Sequence, residues 1–507
     1  MIVMIVTVMM AATVPGQPDE PAPPGASAVF TSPGPIMAQV RELMADGRLR
    51  EAEQLLGRDE PEPDPDTGRM KTEAKEIIRR LRREYDLELD ELVTRLSKAI
   101  PDVTAADVQR WREGGQVQWR MIDGRVCYFR REPANVFRFC DESKRRRDQH
   151  AAQAKSVSSK PTARPRSERE LLDHLARVVR AAETGSRRQV LPMRHHVRYS
   201  LTVHPNRPGA NAGARVRCWL PFPQEYRQQR DVKLIHTSPA RPVIAPNVID
   251  GKAPGGAPQR TVYLEQRISD PSRPVVFEEE FEYVSRAYYP NITDADALPL
   301  PGDYDGAYLA ERPPHIVFTP ELQRTVREVV GDETHPLAKA RRIFHFVTDT
   351  IRYCAEEEYS VIPSLTIKAL TSGKGDCGAQ SMLFITMCRA AGIPARWQSG
   401  YQTRPGAWDM HDWAEFYVEP WGWLPADVSY GLKESDDRRI RAFYFGHLDS
   451  YRLIVNLEYG SALHPPKDSL RSEPADFQRG EVEIDGRNLY FDEWDWDLEF
   501  EVKPLAD

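Results

Sequence analysis

Residues 373–427 read GKGDCGAQSMLFITMCRAAGIPARWQSGYQTRPGAWDMHDWAEFYVEPWGWLPAD, and the fold turns on this stretch. Asp376 is a good helix N-cap, which makes Cys377 the first helical residue. Residues 379–391 continue as an apolar helix, and Gly392 followed by Pro394 supplies its C-terminal stop. From His411, HDWAEFYVE alternates as a strand, and GWLPAD, closing on Asp427, reads as its antiparallel partner across a turn at 419–422. Folding that hairpin brings the start of the first strand beside the end of the second. His411 and Asp427 are therefore expected to be neighbours.

The residue types suit thiol chemistry. A cysteine at a helix N-terminus faces the positive end of the helix dipole and unpaired N–H groups, which is expected to lower its pKa and favour thiolate. The same N–H groups can stabilise an oxyanion. Gly373, Gly375 and Gly378 are read as letting a substrate backbone approach. An imidazole oriented by a carboxylate completes a Cys377–His411–Asp427 triad. Gln380, one turn past the cysteine, is read either as an aid to the oxyanion or as a residue that solvates the helix. Trp408 and Trp413 flank His411 and are candidates to shield the imidazole or line an acyl cleft, while most other aromatics here are expected in the core. The rival thiols are weaker candidates: Cys388 falls on the helix interior and Cys354 has no base motif near it.

Working outward, residues 1–14 (MIVMIVTVMMAATV) are too short to span a bilayer as a helix and fit a secretory signal core, although no Lys or Arg precedes them. Export to a periplasmic or extracellular site is the expectation, with a cytoplasmic location as the alternative. Residues 15–35 form a Pro-rich linker expected to lack fixed structure. Residues 36–140 read as a helical N-terminal module, winged-helix-like, that opens with a helix pair broken at Asp46-Gly47 and closes with a β-ribbon around Asp123-Gly124. Residues 141–170 read as a basic, solvated linker. Residues 190–290, rich in β-branched and aromatic alternation, read as an antiparallel β-sandwich. Residues 315–507 read as one catalytic domain, whose later strand-like segments, 442–459 and 480–502, complete or extend its sheet.

Composition excludes several classes. With 507 residues the chain suggests about three domains. A net charge of -7 argues against a nucleic-acid partner or an anionic membrane surface. The six cysteines show no CxxC pair, which argues against a zinc ribbon or a dense disulfide framework, although Cys127 and Cys140 could pair in an oxidising compartment. HExxH, EF-hand and Walker patterns are absent from the sequence, so neither metal nor nucleotide cofactor is implied.

Gly375-Asp-Cys-Gly378, the helix ending in Arg389-Ala-Ala-Gly-Ile-Pro-Ala-Arg396, Gly400-Tyr401, His411-Asp-Trp-Ala-Glu-Phe-Tyr417 and Gly422-Trp-Leu-Pro-Ala-Asp427 together resemble the transglutaminase-like superfamily over residues 315–435. The resemblance implies an α+β architecture with a papain-like core, in which Cys377 is the nucleophile, His411 the base and acid, and Asp427 its orienter. It also implies attack on an amide carbonyl of a peptide or protein and an acyl-thioester intermediate. Water as acceptor gives a peptidase or amidase, and a lysine amine gives cross-linking. A binding scaffold with a vestigial triad is the reading from another class.

Overall fold

The computed structural model describes residues 35–58, 65–155, 166–185, 187–247, 259–304 and 306–506. The reading of 1–14 lies outside them, as does that of 15–35 except at Pro35, which opens a helix. Helices α1 (Pro35–Ala45) and α2 (Leu49–Leu56) pack by their apolar faces on α3 (Pro65–Glu84). Gly47 makes the turn between α1 and α2 at φ +73°, and a Cβ there would sit 1.8 Å from the Met121 carbonyl oxygen. Helices α4 (Leu89–Ser97) and α5 (Ala105–Glu113) precede a ribbon, β1 (Trp119–Ile122) and β2 (Arg125–Tyr128), with Ile122 opposite Arg125 across the Asp123-Gly124 turn. Helix α6 (Glu132–Phe139) follows.

The basic segment after it departs from the linker reading, because α7 (Asp141–Lys155) and the start of α8 (Arg166–Thr184) are helical. Charge is the reason for α7. Glu142 takes Arg110 at 2.8 Å and Arg146 takes Asp107 at 3.0 Å, fastening α7 to α5. Helix α8 then lays Leu171, Leu175, Val178 and Val179 into the core of the later domain.

The sandwich opens with β3 (Gln189–Val203), β4 (Arg215–Pro221), β5 (Gln229–Ser238), β6 (Val243–Ile244), β7 (Thr261–Arg267) and β8 (Val275–Tyr288). Helices α9 (Pro320–Val330) and α10 (Pro336–Thr350), strand β9 (Arg352–Tyr353), α11 (Leu365–Ser372), β10 (Lys374–Gly375) and α12 (Cys377–Ala390) lead into β11 (Ala395–Arg404), β12 (Ala407–Val418) and β13 (Gly422–Ala426). The short α13 (Arg438–Arg441) and strands β14 (Arg452–Asn456), β15 (Glu481–Ile484), β16 (Arg487–Leu489) and β17 (Trp494–Pro504) finish the chain.

The later strands divide between two sheets. β14 joins the core sheet, in the order β13-β12-β11-β14, but β15 and β16 extend the sandwich sheet β16-β15-β4-β7-β6 and β17 edges its partner β17-β3-β8-β5. Strands 481–504 therefore belong to the sandwich and not to the core sheet. Alternation marks a strand without naming its partner. Here the partner is chosen by Val482, Ile484, Trp494 and Leu498, which drop into the apolar interior shared with Trp219 and Phe281. That interior also takes Tyr401, Leu453 and Val455, so sandwich and core sheet pack as one. Farther along the same face of the core sheet, α12 seats Phe384 against Phe416 of β12, ring centroids 6.0 Å apart. All six cysteines are free thiols, and Cys127 and Cys140 lie in separate apolar clusters, which accounts for their not pairing.

Candidate active site

Asp376 caps α12 as its sequence suggests, accepting from the Ala379 N–H at 3.0 Å, and Cys377 begins the helix. His411 stands in β12 opposite Gly400 of β11. Gly400 is required there: at φ +157° a Cβ would lie 2.0 Å from the Leu453 carbonyl oxygen, so only glycine lets β14 run beside the histidine. The β12–β13 hairpin pairs Val418 with Gly422 and delivers Asp427 just past Ala426, which pairs with Ala414.

The result is a buried ion-pair geometry. His411 Nε2 lies 2.7 Å from Asp427 Oδ2, with His411 7% and Asp427 0% exposed. The other Asp427 oxygen accepts from the Ser429 hydroxyl and the Tyr430 N–H, each at 3.1 Å. Burial opposes charge on Asp427, yet His411 and Arg452 outweigh it and hold the carboxyl below its usual range. Arg452 Nη1 is 2.9 Å from Asp427 Oδ2, while its Nη2 reaches Asp449 at 3.0 Å. With Nε2 committed to Asp427, Nδ1 is the ring nitrogen left to exchange a proton.

Cys377 differs from expectation. It is 9% exposed, and its thiol donates to Asp412 Oδ2 at 3.5 Å; among the described residues it makes no hydrogen bond to His411. Burial, then the carboxyls of Asp412 and Asp376, push the thiol well above its ordinary range, which overrides the helix-dipole argument for a lowered pKa. Burial likewise pushes Asp412 up. Gln478 donates to Asp412 Oδ1 at 2.9 Å, and the Tyr359 hydroxyl bridges Asp376 at 2.8 Å and Asp412 at 3.3 Å. Thiol and carboxyl thus sit in one desolvated pocket where only one of them can readily ionise.

The auxiliary candidates fare unevenly. Gln380 spends its amide N–H groups on the Ile351 carbonyl at 2.9 Å and the Gly375 carbonyl at 3.3 Å. It therefore braces the loop before the cysteine, and neither faces an oxyanion nor solvates the helix. Gly378 is not open to substrate at its α-carbon, where a Cβ would meet the Tyr359 hydroxyl at 2.0 Å and Asp412 Oδ2 at 2.8 Å. Its small size serves internal packing. Trp413 does pack on His411, nearly parallel with ring centroids 5.7 Å apart. Trp408, 37% exposed, instead meets Tyr401, Trp496 and Phe500 on the sandwich side, because residues three apart on a strand point to opposite faces. The structure adds Asp412, Arg452, Tyr359 and Gln478. Only Arg452 carried a legible signal, a lone charge inside the apolar run YRLIVN.

Among the described residues no group of acidic, histidine and cysteine side chains is arranged to hold a metal, and no helix is long and apolar enough to cross a membrane. A cavity of about 510 Å³ lies between α3 and residues 462–471, with no residue of this site in its lining.

Residues 323–428 match the transglutaminase-like superfamily, and this part of the chain is a transglutaminase-like core. A Haemophilus influenzae protein described as uncharacterized is 26% identical over a region covering 30% of this chain and 50% of its own, so the chain spans about half the length of that relative. The solved structure of a proposed cysteine protease from Cytophaga hutchinsonii is similar at 16% identity and a TM-score of 0.41, covering 63% of this chain and 93% of its own. The periplasmic domain of TgpA from Pseudomonas aeruginosa is similar at 15% identity and a TM-score of 0.25, covering 52% and 93%.

Proposed function

We propose that this protein is a thiol hydrolase that cleaves an amide bond of a peptide or protein substrate through Cys377, His411 and Asp427. The observation that carries the reading is the buried His411–Asp427 pair at 2.7 Å, built by the same hairpin that packs on the helix opened by Cys377. A histidine spent on structure alone has no need of a desolvated carboxylate, itself countercharged by Arg452, to fix its ring.

The reaction starts from the neutral thiol. Cys377 turns from Asp412 and passes its proton to His411 Nδ1, while Asp427 stabilises the imidazolium. Sulfur then adds to the amide carbonyl. The Cys377 and Gly378 N–H groups lie in the first helical turn, where no intrahelical acceptor exists, and are the donors available to the oxyanion. As the tetrahedral intermediate collapses, the C–N bond breaks and His411 protonates the departing amine. The acyl group remains as a thioester on Cys377. Water then loses a proton to His411 as it adds to the thioester, and the C–S bond breaks to return the thiol. A lysine amine in place of water would give cross-linking from the same thioester.

The test is incubation with a peptide library followed by mass spectrometry, with Cys377→Ala as the control. New termini formed by the wild type and not by the variant support the reading, and identical products from both overturn it. A primary amine added to the mixture separates hydrolysis from transfer, since only transfer places the amine in product.

A further inference from the structure

Strands β9 and β10 pair in parallel just before the nucleophile, with Lys374 opposite Arg352 and Gly375 opposite Tyr353. Tyr353 is 46% exposed, and with the Cys354 N–H donating to the Gly375 carbonyl at 3.3 Å it stands on the strand pair that leads into Cys377. Helix α6 of the N-terminal module closes over this pair. The Arg138 guanidinium lies 5.0 Å from the Tyr353 ring centre, while Arg352 and Lys374 lie 4.7 Å and 4.2 Å from that of Phe139. Arg352 Nη2 also donates to the Arg138 carbonyl at 2.6 Å, tying the two elements together.

Three cations thus gather at one rim in a chain whose net charge is -7. Among the described residues none of the three forms an ion pair with a carboxylate. Their positions are held by ring faces, which attract a cation without consuming its N–H donors. Apart from the Arg352 Nη2 bond to the Arg138 carbonyl, those donors are available to a carboxylate, and an arginine fork suits one in bidentate geometry. The acidic groups around the mouth do not neutralise the rim. Asp409 lies in β12, Asp376 caps the helix opened by Cys377, and Glu132 is buried and pushed well above its usual range by desolvation.

We infer that Arg138, Arg352 and Lys374 form a carboxylate-binding rim, and that the enzyme prefers amides flanked by an acidic residue. This rests on Cys377 being the nucleophile. It also gives the N-terminal module a part in substrate choice, since α6 supplies Arg138 and Phe139.

Alkylation with paired probes tests the inference. Iodoacetate and iodoacetamide each form a C–S bond at Cys377 and release iodide, but only the first carries a carboxylate. The readout is the ratio of their rate constants at Cys377, followed peptide by peptide in the intact chain. The change on mutation decides the matter, because a protonated His411 attracts iodoacetate as well. Arg138→Glu is expected to lower the ratio about tenfold, in line with the concentrating effect of a cleft of one sign. Lys374→Gln, which keeps a polar side chain, is expected to lower it by less. A ratio unmoved by both variants overturns the rim while leaving the nucleophile intact. Absence of labelling at Cys377 by either probe in the wild type overturns the hydrolase reading itself.

Discussion

The Cys377 thiol lies 3.5 Å from Asp412 Oδ2, so the residue that follows His411, and not the histidine itself, holds the thiol. The two groups share a buried pocket in which desolvation raises both, and the Asp412 carboxyl raises the cost of ionising the thiol further. The helix dipole, typically 0.3–1 kcal/mol in such roles, is the smaller effect. Asp412 therefore acts as a latch that keeps the sulfur protonated.

Replacing Asp412 with Asn should release that latch. The carboxyl raises the thiol pKa, so its loss lowers the pH at which Cys377 reaches half-maximal alkylation. A stopped-flow alkylation profile from pH 5 to pH 10 checks this. A profile that stays in place or moves upward would show that burial alone sets the thiol.

Asp427→Asn should cost kcat/KM on the order of 10²–10⁴, the range associated with a correctly protonated acid–base partner. It also removes one of the two carboxylates at Arg452, leaving Asp449 alone to pair with a buried guanidinium. Melting temperature should therefore fall along with activity. Activity lost with no change in stability would mean that Arg452 does not lean on Asp427.

Gly400→Ala tests the backbone approach that seats the histidine. The new Cβ would meet the Leu453 carbonyl at 2.0 Å, a backbone atom that cannot rotate away. Destabilisation of about 2 kcal/mol or more is expected in denaturant titrations, at the upper end of overpacking costs. Wild-type stability in this variant would mean that β14 tolerates displacement.

These predictions depend on features that were unequally legible in the sequence. The helix start at Cys377 and the hairpin from His411 to Asp427 could be read because caps and alternation are local. Their partners were not local. Asp412 follows the histidine in sequence, but strand periodicity says only that it faces the opposite way, not that α12 brings a thiol there. Gln380 illustrates the same limit: its place one turn past the cysteine is plain, but its bonds to Ile351 and Gly375 depend on a strand pair upstream. The sandwich was legible as β structure at 190–290, whereas the return of 481–504 to complete it depended on long-range burial of Trp494 and Leu498.

That union of sandwich and core has a pH signature. His195 in β3 is wholly buried, within 3.1 Å of the Ser450 carbonyl and 3.2 Å of the Thr403 hydroxyl, and burial lowers its pKa from 6.5 to about 3. An unfolded chain binds this proton below pH 6.5 while the folded one does not. The His195 contribution is therefore fully present above about pH 6.5 and is lost as pH falls toward 3, at most a few kcal/mol. Unfolding free energies of wild type and His195→Gln between pH 4 and pH 8 check it. The wild type should lose stability relative to the variant on acidification, and a constant difference would contradict the assignment.

The central claim is that His411 activates Cys377, and the most direct measurement is the iodoacetamide rate at each cysteine of the intact protein, in wild type and in His411→Ala, near neutral pH. The account predicts that Cys377 is labelled faster than any other thiol although it is buried, and that the variant slows it about 100-fold, the lower end of a general base's contribution. Equal labelling of Cys377 in the two proteins would contradict it.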